Sequence, residues 1–119
     1  MRPHCRFEDL EIWQTVKGLA VRFHRLADIL DKRRLFRYAE QLRAAGLSLT
    51  NNIAEGSGIH TQEFRQFLNI ARRSLFEDAS MLMVFESLGL FSPSDIDELL
   101  TDCDILSRKI TNFSRSLKS

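Results

Sequence analysis

The tightest constraint on this chain is a spacing. Near its end, Ile96, Leu99, Cys103, Leu106, Ile110, Phe113 and Leu117 recur at intervals of 3, 4, 3, 4, 3 and 4 residues. That rhythm holds seven side chains on one stripe of an α-helix, whereas a strand would scatter them over both its faces. The period returns in Trp13, Val16, Ala20, Phe23, Ala27 and Leu30, and in Leu35, Tyr38, Leu42, Ala45, Leu49 and Asn52. It appears once more in Phe64, Leu68, Ala71, Leu75, Ala79, Leu82 and Phe85. No strand-like alternation competes with it. Each stripe must be buried against another element, and short links between helices favour neighbours that reverse direction. The expectation is an all-α chain, an antiparallel up-down-up-down four-helix bundle, forming one domain over residues 1–119 with helices at about 9–31, 34–55, 61–88 and 93–116.

Helix ends carry their own signals. Ser92-Pro93-Ser94-Asp95 reads as a capping box with proline in the first helical position. Asp9 and Thr61 are the expected caps of the first and third helices, Gly89 ends the third, and Gly56 suits a left-handed residue after the second. Gly46, inside the second helix, costs about 1 kcal/mol relative to alanine. A small residue there allows a neighbouring helix to come close. Further apolar residues flank the stripes: Ile12, Leu19 and Leu26 in the first helix, and Phe67, Ile70, Phe76, Met81 and Met83 in the third. The third helix is apolar around much more than one face, and that surface must meet either the rest of the bundle or another subunit; together with Ile12, Leu19 and Leu26 it points to an oligomer.

Composition excludes several classes of function. With 44% hydrophobic and 28% charged residues the chain matches an ordinary globular domain. No run approaches the ~20 apolar residues of a membrane span, and no signal-like segment opens the chain, so a cytoplasmic protein is expected. Cys5 and Cys103 lie far apart, and Cys103 falls inside an apolar stripe, where an inert buried thiol is expected. His4, His24 and His60 are dispersed and no Glu-x-x-His pair occurs, so no metal or other cofactor is expected. Gly56-Ser57-Gly58 lacks the lysine and spacing of a phosphate loop, and no serine lies in a nucleophile elbow. The chain is therefore read as non-enzymatic. Asn112 heads a glycosylation-type triplet inside a helical pattern, and it is set aside.

Charge is the remaining clue. The net charge is +1, yet residues 1–50 carry ten Lys/Arg against six Asp/Glu, while residues 51–119 carry seven against ten. Lys32, Arg33, Arg34 and Arg37 make a basic corner between the first two helices and are the candidate nucleic-acid-binding residues. Arg108, Lys109, Arg115 and Lys118 make a second basic group, preceded by Asp95, Asp97, Glu98, Asp102 and Asp104. In the expected bundle these two basic groups fall at opposite ends.

Three segments, FEDLEIWQ at 7–14, QLRAAGLSLTNNIAEG at 41–56 and EFRQFLNIARRSLFE at 63–77, resemble the bacterial four-helix bundle proteins also called the 23S rRNA intervening-sequence protein family. The resemblance implies a cytosolic bundle that assembles into a ring-shaped homopentamer, with no enzymatic activity. Some members of that family are encoded within insertions in ribosomal RNA genes. A similar bundle, the accessory protein of diversity-generating retroelements, binds nucleic acid and reverse transcriptase. RNA or an RNA-associated protein is thus the expected partner; the alternative is a protein–protein interaction module without nucleic-acid binding. Arg43, Asn52, Glu55 and Gly56 match the characteristic positions, whereas Leu42, Thr50 and Arg73 depart from the usual arginine, proline and glycine. If helices two and three fold back on each other near residues 57–60, Arg43 pairs with Glu77 or Asp78, and Asn52 is held opposite Gln66.

Overall fold

The helices begin and end where local chemistry provides for it. In a computed structural model describing residues 1–118, a 3-10 turn at Arg6–Asp9 precedes α1 (Glu11–Lys32), α2 (Phe36–Gly56), α3 (Thr61–Ser87) and α4 (Pro93–Ser116), and no strand occurs among the described residues. The start of α4 is as expected: the Asp95 carboxylate accepts from the Ser92 backbone N–H at 2.8 Å, and Pro93 occupies the first turn. The other two expected caps are displaced. Asp9 lies in the 3-10 turn and meets His4, so Leu10 precedes α1. Phe7 packs on Trp13 with ring centroids 4.7 Å apart, which fastens that turn to α1. Thr61 is already helical, with His60 in the capping position.

Two helices end in the same motif. After α3, Gly89 adopts φ +76°, and the N–H groups of Leu90 and Gly89 donate to Phe85 and Glu86 carbonyls at 2.9 Å each. After α1, Arg34 adopts φ +63°, and Leu35 and Arg34 donate in the same way to Leu30 and Asp31 at 3.0 and 2.9 Å. Both satisfy the last carbonyls through a left-handed residue, which suits glycine and is strained for arginine.

The core is a continuous apolar interior in which Val16, Phe23, Ala27, Leu30, Leu42, Leu49, Ile53, Leu68, Leu82, Ile96 and Leu106 are fully enclosed. The stripes on α1, α3 and α4 are buried nearly as the sequence indicates. Ile12, Leu19 and Leu26 are buried inside the bundle as well, so they provide no surface for another subunit. On α2 the buried set is Ala39, Leu42, Gly46, Leu49, Ile53 and Gly56, which turns the helix by about half a residue step from the expected stripe. Tyr38, Ala45 and Asn52 are only partly covered.

Gly46 explains this turn. A Cβ placed on it would stand 2.9 Å from the Ala20 Cα and 3.2 Å from the Ala20 Cβ, so α1 and α2 touch almost backbone to backbone. Consecutive helices pack against each other, and α4 meets α1 through Arg22–Asp102 at 2.5 Å and Lys109–Glu11 at 3.2 Å. Tyr38 on α2 stacks near Phe85 on α3, and Phe64 near Phe113 on α4. The Arg65 guanidinium reaches the end of α4, donating to the Ser114 carbonyl at 3.1 Å and to the Leu117 carbonyl. Among the described residues no helix is long and apolar enough to cross a membrane.

Two of the helical glycines give opposite expectations. Gly46→Ala gains helix propensity but overpacks the α1–α2 contact, and is expected to destabilise by about 1 kcal/mol net. Gly18, inside α1, has open space where a Cβ would stand, with nothing within 4 Å, so Gly18→Ala is expected to stabilise by about 0.5–1 kcal/mol. Urea unfolding of both variants checks the sign of each change.

Candidate functional site

The turn of α2 decides where its polar side chains go. Arg43 emerges toward α1 and not toward α3. Its guanidinium donates to Asp31 Oδ2 at 2.5 Å and to Asp28 Oδ1 at 2.8 Å. Those two hydrogen bonds, to Asp31 first and then Asp28, hold its pKa above the ordinary arginine value. The expected pair with Glu77 or Asp78 does not form, because the side of α2 that faces α3 is occupied by Gln41, Ala44, Ala45 and Ser48.

The other signature residues divide. Asn52 is half-buried, but its amide donates within α2, to the Ser48 carbonyl at 2.8 Å and the Ser48 hydroxyl at 3.2 Å, and not to Gln66. Glu55 is exposed and joins no ion pair among the described residues. Gly56 is the last helical residue and has no left-handed backbone. Its requirement is steric: a Cβ there would stand 2.7 Å from the Phe67 Cβ and 2.9 Å from a Phe64 ring carbon. Gly46 and Gly56 are thus two close approaches on one helix, the first to α1 and the second to α3.

The basic corner is exposed throughout. Lys32 closes α1, Arg33 and Arg34 form the turn, and Arg37 lies in the first turn of α2. Arg33 donates to the Gly89 carbonyl at 3.3 Å, joining this corner to the α3–α4 turn. Arg34 is the strained left-handed residue that ends α1. None of the four joins an ion pair among the described residues. The second basic group does not reach them: Lys109 pairs with Glu11 at the opposite end of α1, roughly 30 Å away along a helix of 22 residues.

One buried polar group escapes the sequence pattern. Asp78 takes the α3 core position that the apolar spacing assigns to Ala79, and it is 6% exposed. Its Oδ2 has no hydrogen-bond partner. Burial, aided by the neighbouring Glu77 charge, pushes the carboxyl up to about 7. The Cys103 thiol, close enough to feel Asp78, is pushed up to about 12, mainly by burial, which makes it inert at neutral pH. The signal is present in the spacing, since Asp78 lies three residues after Leu75 and four before Leu82. Its charge hides it from a search for apolar periodicity. Asp78 also lines a cavity of about 380 Å³ between α2 and α3, together with Ser48, Ser74, Glu77 and Met81.

At the N-terminus, His4 shares a proton with both Asp9 carboxylate oxygens at 3.0 Å, and this hydrogen bond raises its pKa. Among the described residues no group of three His, Cys, Asp or Glu is placed to hold a metal ion.

These contacts have measurable consequences. Arg43→Ala and Asp31→Ala each lower the melting temperature, and the double variant loses less than the two losses added, because both remove one interaction. Strict additivity in that cycle would mean the pair contributes nothing. For Asp78, the folded-state pKa near 7 stands above the unfolded value of 3.8. The native state therefore holds the proton across that interval, and stability falls as pH rises from about 4 to about 7, by on the order of 3–4 kcal/mol. Asp78→Asn is expected to flatten this slope, as urea unfolding at pH 5 and pH 8 would reveal.

Comparison with known proteins matches the sequence to a family. A search of curated protein sequences gave no match. The family model described as 23S rRNA-intervening sequence protein matches residues 8–112, from the 3-10 turn through most of α4. That span includes the Arg43 clamp, both close-packed glycines of α2 and the buried Asp78. The chain belongs to the 23S rRNA-intervening sequence protein family.

Proposed function

We propose that this protein is a non-enzymatic cytoplasmic bundle that works as a ring-shaped homo-oligomer, a homopentamer, and binds or scaffolds RNA or an RNA-associated protein. The observation that supports assembly is the outer face of α3. Phe76, Met83, Val84 and Leu88 are 55, 52, 52 and 57% exposed, and with Ala79, Ser80 and Ser87 they line an apolar groove of about 500 Å³. Large apolar side chains gathered on one helix face are the usual mark of a protein–protein contact. The copy number of five and the RNA partner rest on the family resemblance, and the family's name ties it to ribosomal RNA.

An antiparallel up-down-up-down path belongs to the same proposal. Its support is that late residues of one helix meet early ones of its neighbour, Asp31 with Arg43, Gly56 with Phe67 and Phe85 with Tyr38, while Ala20 and Gly46 meet midway. In that arrangement the outer face of α3 lies on the bundle's side, accessible to a neighbouring copy.

Light scattering on the purified protein tests the reading. The expected mass is near five chains of 13.8 kDa, unchanged between low and high salt because the contact is apolar. The double variant Phe76→Glu/Met83→Glu is expected to shift the protein to smaller species without loss of helical signal. A wild-type protein that runs as a 13.8 kDa monomer would overturn the assembly.

A further inference from the structure

The basic residues near the end of the chain meet others on α3. Arg108 and Arg115 on α4 and Arg72 on α3 line one groove between the two helices, about 470 Å³ in volume, whose wall also includes Asn112, Thr111 and Phe76. A second cavity of about 370 Å³ continues it past Arg72 and Arg115 toward Asn69 and Ser114. The charges in the groove do not cancel. Asp104 takes Arg108 at 2.7 Å, but neither Arg72 nor Arg115 joins an ion pair among the described residues. Arg72 is instead held in place, donating to Asn69 Oδ1 at 3.0 Å and lying 5.8 Å from the centre of the Phe76 ring. It is a fixed cation beside an aromatic face.

We propose that this α3–α4 groove is a binding site for the phosphodiester backbone of single-stranded RNA, with Arg72 and Arg115 as the phosphate contacts and Phe76 as the surface on which a base rests. The proposal deepens the RNA-binding reading and rests on it, but it moves the contact from the 32–37 corner to a different pair of helices. Guanidinium forks match phosphate and carboxylate oxygens alike in two-point contacts, and two further features favour a nucleic-acid strand over an acidic peptide. Asn69, Thr111 and Asn112 supply neutral hydrogen-bonding groups along the same line, suited to sugar and base edges. An exposed aromatic ring next to spaced cations is the arrangement by which single strands are held without sequence preference. Arg72 and Arg115 stand on the two different helices that wall the groove, so the charge left over after the Arg108–Asp104 pair spans it and is not gathered on one helix.

The test uses fluorescence anisotropy with a labelled single-stranded RNA of about 20 nucleotides, at about 50 and 200 mM salt. Arg72→Gln/Arg115→Gln is expected to weaken binding at least about tenfold at low salt and to reduce the logarithmic salt slope by about 1.4, two contacts at about 0.7 each. Arg115→Gln alone, an exposed side chain that joins no ion pair among the described residues, is expected to give about half that slope change, which separates phosphate contact from misfolding. Lys32→Gln/Arg33→Gln/Arg37→Gln is the control and is expected to stay within about twofold. If the control loses binding and the groove variants keep it, the groove is overturned while RNA binding stands. If the wild-type protein does not bind the RNA at low salt, both readings fall. Equal displacement of the RNA by polyglutamate at matched charge would overturn the assignment to a nucleic-acid strand.

Discussion

The approach of α1 to α2 at Gly46 and Ala20 sets the arrangement of most of the bundle. A Cβ on Gly46 would lie 2.9 Å from the Ala20 Cα, a separation that no substituted residue tolerates without a shift of backbone. Holding α2 that close to α1 fixes its rotation, and the rotation distributes its side chains. Arg43 is carried to α1, where Asp28 and Asp31 receive it. Gln41, Ala44, Ala45 and Ser48 are carried to the α3 side, where small residues leave a cavity beside Asp78. At the far end of α2, Gly56 makes the corresponding approach to Phe64 and Phe67. One helix is thus positioned by two missing side chains, and its polar contacts are consequences of that placement.

This ordering explains why the conspicuous segment at the end of α2 has so little chemistry of its own. Asn52 spends its amide on the preceding turn, Glu55 faces solvent, and Gly56 is needed for space. The signature reads as geometry. The residue with unusual energetics is Asp78, which no local motif announces. Its Oδ2 is buried without a hydrogen-bond partner, and an unpaired buried carboxyl oxygen is costly, most of all when the group is ionised. Asp78 lines the cavity between α2 and α3 and is still close enough to act on the Cys103 thiol of α4.

The legible part of the fold is the part carried by repetition. Stripes of seven apolar residues on α3 and α4 average over many side chains, so one misassigned position, Ala79 for Asp78, leaves the helix and its inward face unchanged. The capping box at Ser92 is legible because its chemistry is local, needing only Asp95 three residues on. The cap expected at Asp9 fails because a 3-10 turn, which no apolar spacing announces, takes in Asp9, and its carboxylate meets His4. The expected partners of Arg43 fail similarly. Counting from the α2–α3 turn puts Glu77 and Asp78 opposite it, but counting measures height along a helix and is blind to rotation about its axis. A half-step of rotation moves the guanidinium to the other neighbour. The candidate corner at 32–37 is legible as a charge run, yet Arg34 also serves as the left-handed residue that closes α1, so part of that run is committed to the turn.

Phe76 links the two surfaces that remain. It belongs to the apolar outer strip with Met83 and Val84, and it also walls the arginine groove with Arg72 and Arg115. On an isolated bundle the groove is shallow and open on that side. A second copy seated on the apolar strip would raise a wall beside Phe76, lower the local dielectric around Arg72, and strengthen its attraction for a phosphate. The same seating would repeat the groove around a ring, so that several weak sites act on one strand as a single strong one. The modest net charge of +1 per chain is then no obstacle to binding a polyanion. What matters is that Arg72 and Arg115, which join no ion pair among the described residues, lie beside the face through which copies would meet, so that assembly and strand binding would reinforce each other.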